Sequence, residues 1–266
     1  MAQNSESGSL RVSTAVPLSP ETVAPFSADA VEVVVSRLDL EADAFNVLAQ
    51  WLREDELQRA SRYQFTRDRR RFIVARGCLR QLLGARLGID PQAVELSYGL
   101  NGKPVLAGGS AAMDWRFNIS HSEDVGVFAF CRGREVGVDV EAVHSVKNAD
   151  AIASQFFSPA ELADYRALAP HEKEMGFFNC WTRKEAFVKA LGGRLDFPLN
   201  EFDVSLSPGE PARLIRVGNI ADNTEWLVRS FAPMPGYVAA VVVQRSRAAA
   251  NDDAFMKGPA CTLWTH

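Results

Sequence analysis

Two carboxylates stand two residues apart in the segment 137–141, which reads GVDVE. On a β-strand successive side chains alternate, so Asp139 and Glu141 should project from the same face. Paired carboxylates are costly to bury unless a cation or water satisfies them, and oxygen ligands suit Mg²⁺. Two solvated charges at a strand end would show the same spacing, and spacing alone favours that alternative.

A second candidate segment, 181–189 (WTRKEAFVK), places Glu185 and Lys189 four residues apart in a predicted helix. Residues at this spacing share a helix face, and an isolated pair of this kind usually forms an ordinary surface ion pair. A carboxylate and an ammonium beside a buried stripe can also serve a phosphate and metal site. The pattern does not choose between the two.

The third candidate segment, 117–122 (FNISHS), is predicted to be a turn ahead of a strand that begins at Val125. Its small polar residues commonly cap turns by bonding to their own backbone, which is the alternative to a binding role. His121 is one of four histidines, and a single histidine does not by itself indicate a site.

The elements that must position these segments follow from hydrophobic spacing. Helices are predicted over 68–83, with Gly84 and Gly88 helping to end it, and over 172–191. A shorter helix is predicted after Ser158, because proline follows it and Glu161 completes a capping box. Strands are predicted at 94–97, 125–131, 202–205, 226–230 and 237–243, with turns at 101–102 and 207–209.

This order of elements predicts an α+β fold of two similar half-domains related by a pseudo-twofold axis. Each half-domain packs antiparallel strands on a long helix, and a ligand site is expected at the interface between them. The predicted half-domains are 29–133 and 134–245. Residues 1–28 are rich in Ser, Ala, Pro and Thr and are predicted to be disordered, and 246–266 is predicted to be a flexible tail.

Composition excludes several classes of protein. A formal net charge of −4 over 266 residues argues against nucleic-acid binding. Residues 1–10 contain no Lys or Arg, and the longest strongly apolar run, 237–243, is too short to cross a bilayer, so neither a secretory signal nor a membrane partner is expected. The four cysteines include no C-x-x-C pair, which favours reduced thiols and a cytoplasmic protein.

Taken in order, the three segments resemble the 4′-phosphopantetheinyl transferases of the surfactin-synthetase-activating type. That family carries N-x-S-H-S, then G-[IV]-D-x-E, then W-x-x-K-E-[AS]-x-x-K, and the resemblance covers roughly residues 50–245. The segment 102–104 matches the family's G-K-P turn, and 156–161 matches its F-[ST]-x-x-E helix start. One departure is Arg194, which stands where many members have glycine.

The resemblance implies a transferase that moves the 4′-phosphopantetheine of coenzyme A to a serine of an apo acyl or peptidyl carrier protein. Adenosine 3′,5′-bisphosphate would be released. The implied metal ligands are Asp139, Glu141 and Glu185, for Mg²⁺ with Mn²⁺ as an alternative. Asp139, Glu185 and Lys189 form the implied catalytic set, in which Lys189 stabilises the phosphoryl oxygens and Glu185 is the candidate general base. The implied coenzyme A contacts are Arg59, Arg71, Lys103, Ser120, His121 and Lys189.

Both halves lie in one chain, so a monomer is expected. A non-catalytic module that binds coenzyme A or a carrier protein is the main alternative, and it should lack a metal carboxylate or Lys189. Another nucleotide-dependent enzyme is disfavoured because neither a P-loop nor a G-x-G-x-x-G segment occurs. DNA binding by the arginines of 67–80 is disfavoured by the net charge, and Arg69, Arg76 and Arg80 also fit one solvated helix face.

Overall fold

The computed structural model describes residues 11–14, 31–99, 102–108, 114–192, 197–217 and 224–245. Its N-terminal part contains β1 (Arg11–Thr14), β2 (Glu32–Arg37), α1 (Ala42–Ala49), α2 (Glu54–Ser61), α3 (Thr66–Leu87), β3 (Leu96–Tyr98), β4 (Pro104–Leu106), β5 (Trp115–Ser122) and β6 (Val125–Arg132). Its C-terminal part contains β7 (Val136–Ala142), α4 (Ala149–Phe156), α5 (Pro159–Ala167), α6 (Lys173–Ala190), β8 (Asp203–Val204), β9 (Leu214–Arg216), β10 (Trp226–Phe231) and β11 (Tyr237–Gln244).

Two sheets form the centre of the molecule. The first has the strand order β1-β2-β6-β5, in which β1 and β2 are parallel and the other pairs antiparallel. The second has the order β10-β11-β7 and is antiparallel throughout. The predicted mixture of helices and antiparallel sheet is confirmed, whereas the pseudo-twofold relation between the halves stays a prediction.

Alternation along the strands stacks these sheets between the two long helices. On the first sheet, Val34 and Phe128 pack with Leu79 of α3. The neighbouring residues of those strands, including Val33, point the other way and pack against Val241 of the second sheet. The other face of the second sheet packs against α6. The layers therefore run α3, first sheet, second sheet, α6.

Both long helices were predicted, with bounds that differ by a few residues. The first runs on to Leu87, beyond its predicted end. Gly84, which was expected to help end it, instead lies inside the helix, where its missing side chain lets the backbone of Ile89 approach closely. Gly88 does end it, with a left-handed φ of 67°. The capping box predicted at Ser158 is also confirmed at the start of α5.

The turn predicted at 117–122 is wrong, because these residues belong to β5. Trp115 and Phe117 anchor that strand in the core beside α3, and every residue of β5 has a partner on β6. Disorder was also predicted for 1–28, yet 11–14 pairs with β2 as β1. The rest of that segment, the predicted tail 246–266 and the loop at Arg194 lie outside the described residues.

Three of the cysteines, Cys78, Cys131 and Cys180, are described, and each is a buried free thiol. Cys261 lies outside the described ranges. Within those ranges, no helix combines the length and the apolar character that crossing a bilayer requires.

Candidate active site

Strands β5 and β7 belong to different sheets, and side chains of β5 join them. The buried Asn118 accepts a hydrogen bond from the backbone N–H of Val138 through Oδ1, at 2.8 Å. Two residues further on, Ser120 Oγ donates to Asp139 Oδ1 at 2.9 Å. Alternate residues of a strand share a face, so both polar groups reach the neighbouring sheet.

The same pattern continues at the end of β5. Ser122 Oγ donates to Glu141 Oε2 at 2.9 Å and accepts a hydrogen bond from the backbone N–H of Ala142 at 3.1 Å. The side chains of residues 118, 120 and 122 thus hydrogen-bond to β7. They take the place of the backbone hydrogen bonds that join neighbouring strands within one sheet. They also fix the positions of both carboxylates.

Asp139 and Glu141 share one face of β7, as predicted, and the structure turns that face toward α6. Gly137 lies on that face, and a Cβ placed on it would stand 2.0 Å from the carbonyl oxygen of Ala186 and 2.4 Å from the nitrogen of Ala190. Only glycine permits so close an approach of strand and helix. The contact brings the Glu185 face of α6 against the carboxylates of β7.

Lys189 occupies the centre of this arrangement. Its Nζ lies 2.6 Å from Asp139 Oδ1 and donates to Ser120 Oγ at 3.0 Å. The ion pair that Lys189 makes is therefore with a buried carboxylate of β7, and not the surface pair with Glu185 that its spacing also allowed. Lys103 adds a second ammonium, which donates to the backbone carbonyl of Lys189 at 2.7 Å.

Three carboxylates face one another here. Burial raises the pKa of Glu141 and of Glu185, and the negative charge of Asp139 adds to both shifts. Asp139 itself is only 3% exposed, and its Oδ2 is buried without a hydrogen-bond partner in the described part of the chain. A cation placed among these oxygens would relieve both the repulsion and the unpaired atom.

The donor chemistry therefore fits a hard divalent cation, which prefers oxygen ligands. No three His, Cys, Asp or Glu side chains within the described ranges are grouped closely enough to enclose an ion in this arrangement. Glu141 is turned toward Ser122 and Asp139 toward Lys189. The ligand assignment for Asp139, Glu141 and Glu185 accordingly remains a proposal.

His121 lies at the exposed rim of the site, beside Arg71. The protein packed around the imidazole lowers the pKa of His121, and the positive charges of Lys189 and Arg71 lower it further. Arg71 is held by two carboxylates, with Nη1 3.1 Å from Glu123 Oε2 and Nη2 3.6 Å from Asp39 Oδ2. Arg71 therefore stands near the predicted site with its charge already paired.

Two cavities meet at Lys189. One of about 300 Å³ opens between α3 and β5 and has a mixed lining; we call it the polar cavity because of its charged side chains. It is lined by Arg59, Tyr63, Phe72, Arg76, Ser120, His121 and Lys189, among others. The other cavity, of about 590 Å³, is largely apolar and lies beside α6. It is lined by Phe156, Trp181, Glu185, Val188, Phe197, Leu199, Lys103 and Lys189, among others.

Lys184, the lysine of the W-x-x-K-E segment, faces away from both cavities. Its Nζ lies 2.8 Å from Glu161 Oε2 and donates to the backbone carbonyls of Leu199 and Phe202, at 2.6 Å and 2.7 Å. Both members of the ion pair are 1% exposed. Because the segment it binds forms a wall of the larger cavity, Lys184 positions that wall.

The structure gathers most of the predicted site residues in one cleft, which is lined by the N-terminal and the C-terminal parts of the chain. Those residues are Ser120, His121, Asp139, Glu141, Glu185, Lys103 and Lys189, with Arg59 at the edge. No site role was predicted for Asn118 or Ser122. Their alternation with Ser120 is the strand pattern that could have indicated that all three side chains face the site. Arg76 was grouped with solvated arginines but is 4% exposed.

Comparison with known proteins gives matches in both halves. Residues 135–242 match the model of the 4′-phosphopantetheinyl transferase superfamily, and residues 40–132 match that of the 4′-phosphopantetheinyl transferase N-terminal region. The 4′-phosphopantetheinyl transferase HetI of a Nostoc species is 36% identical over 206 residues, which cover 77% of this chain and 84% of that protein.

Two further similarities are more distant. A 4′-phosphopantetheinyl transferase of Bacillus subtilis is 30% identical over 154 residues, which cover 57% of this chain and 65% of that protein. Among solved structures, an ACPS–CoA complex of Chronobacterium ammoniagenes aligns with a TM-score of 0.33 at 17% identity. That alignment covers 44% of this chain and 99% of the other.

Proposed function

The chain belongs to the 4′-phosphopantetheinyl transferase superfamily, and we propose that it transfers the phosphopantetheine arm of coenzyme A to a serine of an apo carrier protein. The reaction is proposed to depend on Mg²⁺, with Mn²⁺ as an alternative, and to release adenosine 3′,5′-bisphosphate. The carrier proteins of fatty-acid, polyketide and non-ribosomal peptide synthesis all present such an acceptor serine. The proposal covers carrier proteins as a class and does not single out one of these three.

The observation that carries the proposal is the meeting of a polar and an apolar cavity at Lys189, beside three carboxylates. Coenzyme A has a phosphorylated nucleotide at one end, an uncharged pantetheine arm at the other and a pyrophosphate between them. The polar cavity with Arg59 and His121 suits the nucleotide, and the apolar cavity with Phe156 and Trp181 suits the arm. The pyrophosphate then lies at Lys189.

Asp139, Glu141 and Glu185 are the residues that would hold the cation. When bound, it supplies Lewis-acid polarisation of the phosphoryl oxygens. Glu185 projects into the apolar cavity beside the proposed pyrophosphate position. Burial raises the pKa of this carboxyl group when no cation is bound, and its position makes it the proposed acceptor for the proton of the carrier serine.

The bond changes follow from this placement. The carrier serine oxygen forms a bond to the phosphorus that bears the pantetheine arm, and its proton passes to Glu185. The bond from that phosphorus to the bridging oxygen breaks, and adenosine 3′,5′-bisphosphate leaves with the electron pair. Lys189 holds its ammonium where charge gathers on the transferred group.

Two further proposals concern assembly and location. Side chains of β5, β7 and α6 complete the cleft within one chain, which supports a monomer. The buried free thiols of Cys78, Cys131 and Cys180 support work in the reducing cytoplasm.

Intact-mass spectrometry of apo carrier proteins, incubated with coenzyme A and Mg²⁺ with and without chelator, tests the reaction. We expect a chelator-sensitive gain of one phosphopantetheine. Asp139→Asn and Glu185→Gln should each abolish it, whereas Lys147→Ala, at an exposed position, should not. Calorimetry with coenzyme A alone shows whether each variant still folds and binds.

Full Mg²⁺-dependent transfer by either carboxylate variant would remove that residue from the proposed site. No gain on any carrier, from protein that binds coenzyme A, would instead establish the non-catalytic binding module.

A further inference from the structure

The turn between β5 and β6 consists of two residues, Glu123 and Asp124. It follows Ser122 directly, so its position decides where the Ser122 hydroxyl meets Glu141. Glu123 has a left-handed φ of 47°. Two-residue turns favour Gly, Asn or Asp in that conformation, and glutamate adopts it only at a cost. The turn therefore depends on contacts from other elements to hold its shape.

Three side chains from other elements hold this turn. Arg71 of α3 donates to Glu123 Oε2 at 3.1 Å. Asp124 forms an ion pair with Arg37 of β2, and its Oδ1 accepts a hydrogen bond from the hydroxyl of Tyr237 at 2.5 Å. Arg71 and Arg37 belong to the N-terminal part of the chain, whereas Tyr237 begins β11 of the second sheet. Tyr237 thus ties the turn of one sheet to the other sheet.

The phenol of Tyr237 is a lasting hydrogen-bond donor. Burial raises the pKa of Tyr237 to about 12, and the hydrogen bond to Asp124 adds to that shift. Burial acts to raise the pKa of Asp124 as well, but the Tyr237 hydroxyl and Arg37 outweigh it, so this pKa is lowered. Both groups therefore keep the protonation states that this hydrogen bond requires near neutral pH.

Two bridges between the sheets meet at Ala142 of β7. Ser122 Oγ, from the first sheet, accepts a hydrogen bond from the backbone N–H of Ala142 and donates to Glu141. Tyr237 is the β11 residue that pairs with Ala142, and its side chain runs back to Asp124, two residues beyond Ser122. These contacts close a ring across the two sheets, and Glu141 lies beside it.

A closed ring holds the Ser122 hydroxyl more firmly than a single bridge, because the turn cannot move away from β7 without breaking the Tyr237 hydrogen bond. We propose that Tyr237, acting through Asp124 and Ser122, positions Glu141 and thereby sets the affinity of the site for its divalent cation. Groups that orient a metal ligand act in this way without touching the metal. The inference rests on the proposed function, in which Glu141 is a metal ligand.

The test begins with Tyr237→Phe, which removes the hydroxyl and keeps the ring that packs against the core between the sheets. Binding of Mn²⁺ is measured by calorimetry with saturating coenzyme A and without carrier. Tyr237→Phe should weaken it by about 3- to 10-fold, the usual worth of one hydrogen bond. The Mg²⁺ concentration for half-maximal transfer should rise by the same factor, with kcat at saturating Mg²⁺ unchanged.

Tyr165→Phe is the matched control, since Tyr165 makes the same kind of contact with Asp150 and lines a separate cavity. A second comparison distinguishes positioning from bracing of the fold. If Tyr237 acts through Ser122, Tyr237→Phe should not weaken Mn²⁺ binding further in a protein that already carries Ser122→Ala. Asp124→Ala should weaken binding as Tyr237→Phe does. A brace without a role in the site predicts a lower unfolding temperature and an unchanged metal affinity.

Unchanged Mn²⁺ affinity in Tyr237→Phe, or the same loss with and without Ser122→Ala, overturns the inference and leaves the proposed function standing. If Tyr237→Phe does not fold, Asp124→Ala decides in the same way, with and without Ser122→Ala. Wild-type protein that binds Mn²⁺ no more tightly than Asp139→Asn would refute the proposed metal site and this inference with it, which is a distinct outcome.

Discussion

The ammonium of Lys189 lies 2.6 Å from Asp139 Oδ1, so a helix of the C-terminal half and the carboxylate beside it are locked together without any ligand. Ser120 Oγ accepts from the same ammonium and donates to the same oxygen, which ties β5 into the pair. The ammonium of Lys189, to which the proposed function gives a catalytic role, is thereby held in place before substrate arrives. Such preorganisation is the main source of electrostatic catalysis.

Lys189→Ala should lower kcat by about 100- to 1,000-fold, the usual effect of removing one preorganised donor from a transition state. The KM for coenzyme A should change less, because other groups bind the nucleotide. Steady-state transfer kinetics on a purified apo carrier measure both constants. Lys173→Ala is the control on the same helix, since Lys173 contacts only the exposed Asp150 among the described carboxylates, at 3.7 Å. A folded Lys189→Ala protein with wild-type kcat would contradict the assignment.

Ser122→Ala removes the hydroxyl that orients Glu141. Partners of metal ligands typically contribute about 10- to 100-fold to metal affinity, so the Mg²⁺ concentration for half-maximal rate should rise by that factor. Calorimetric titration with Mn²⁺, without carrier, provides a readout independent of turnover. Ser122→Thr should restore affinity, and Ser154→Ala, on the exposed face of α4, should have no effect. Unchanged metal affinity in Ser122→Ala would show that Glu141 needs no such support.

Phe156→Ala tests whether the apolar cavity holds the pantetheine arm. Losing a partly buried aromatic wall should weaken coenzyme A binding by about 10-fold, from the apolar area it contributes. Binding of adenosine 3′,5′-bisphosphate, which has no arm, should be unchanged. Ile215→Ala, which truncates an apolar side chain that is 60% exposed, is the control. Equal weakening of both ligands would place the arm elsewhere.

Lys184→Met leaves Glu161 buried without its counter-charge and leaves two carbonyls without a donor. Breaking one side of a buried pair typically costs about 3–5 kcal/mol in the free energy of unfolding. Glu225→Gln, which breaks an exposed pair with Arg245, should cost about 0–1 kcal/mol. Urea unfolding followed by circular dichroism compares the two.

The loss of unfolding free energy in Lys184→Met should also depend on pH. Burial already raises the pKa of Glu161, and Lys184 opposes that shift, so removing the lysine raises this pKa further. The folded variant then binds a proton more tightly than the unfolded chain does. Its free energy of unfolding must fall as pH rises above the ordinary glutamate value of 4.5. A destabilisation that is the same at pH 5 and pH 8 would refute this account.

Local patterns predicted the parts of the fold that depend on periodicity. Helices α3 and α6 follow from apolar spacing, and the shared face of Asp139 and Glu141 follows from the alternation of a strand. The glycine at position 137, on the same face, could not be explained from the sequence. Its reason is the close contact with the backbone of α6, and the residues next to it in sequence do not indicate that contact.

Strand β5 shows why the rest could not be predicted. Asn118, Ser120 and Ser122 are typical of turns, and the partners that satisfy them lie on β7 in another sheet. Arg76 gives a second example, because its spacing from Arg69 and Arg80 predicts a solvated face. The burial of Arg76 and Arg80 depends on Glu56 of α2, a tertiary contact that overrides the local pattern.

The packing of the two sheets against each other also constrains when the cleft can form. Val33 and Val241 share one core, although they lie near opposite ends of the described chain. Contacts between residues so distant in sequence form late, since a large loop must close first. During synthesis, β7 therefore cannot complete its sheet until β11 has left the ribosome. We expect the cleft to reach its final form only after almost the whole described fold has been translated.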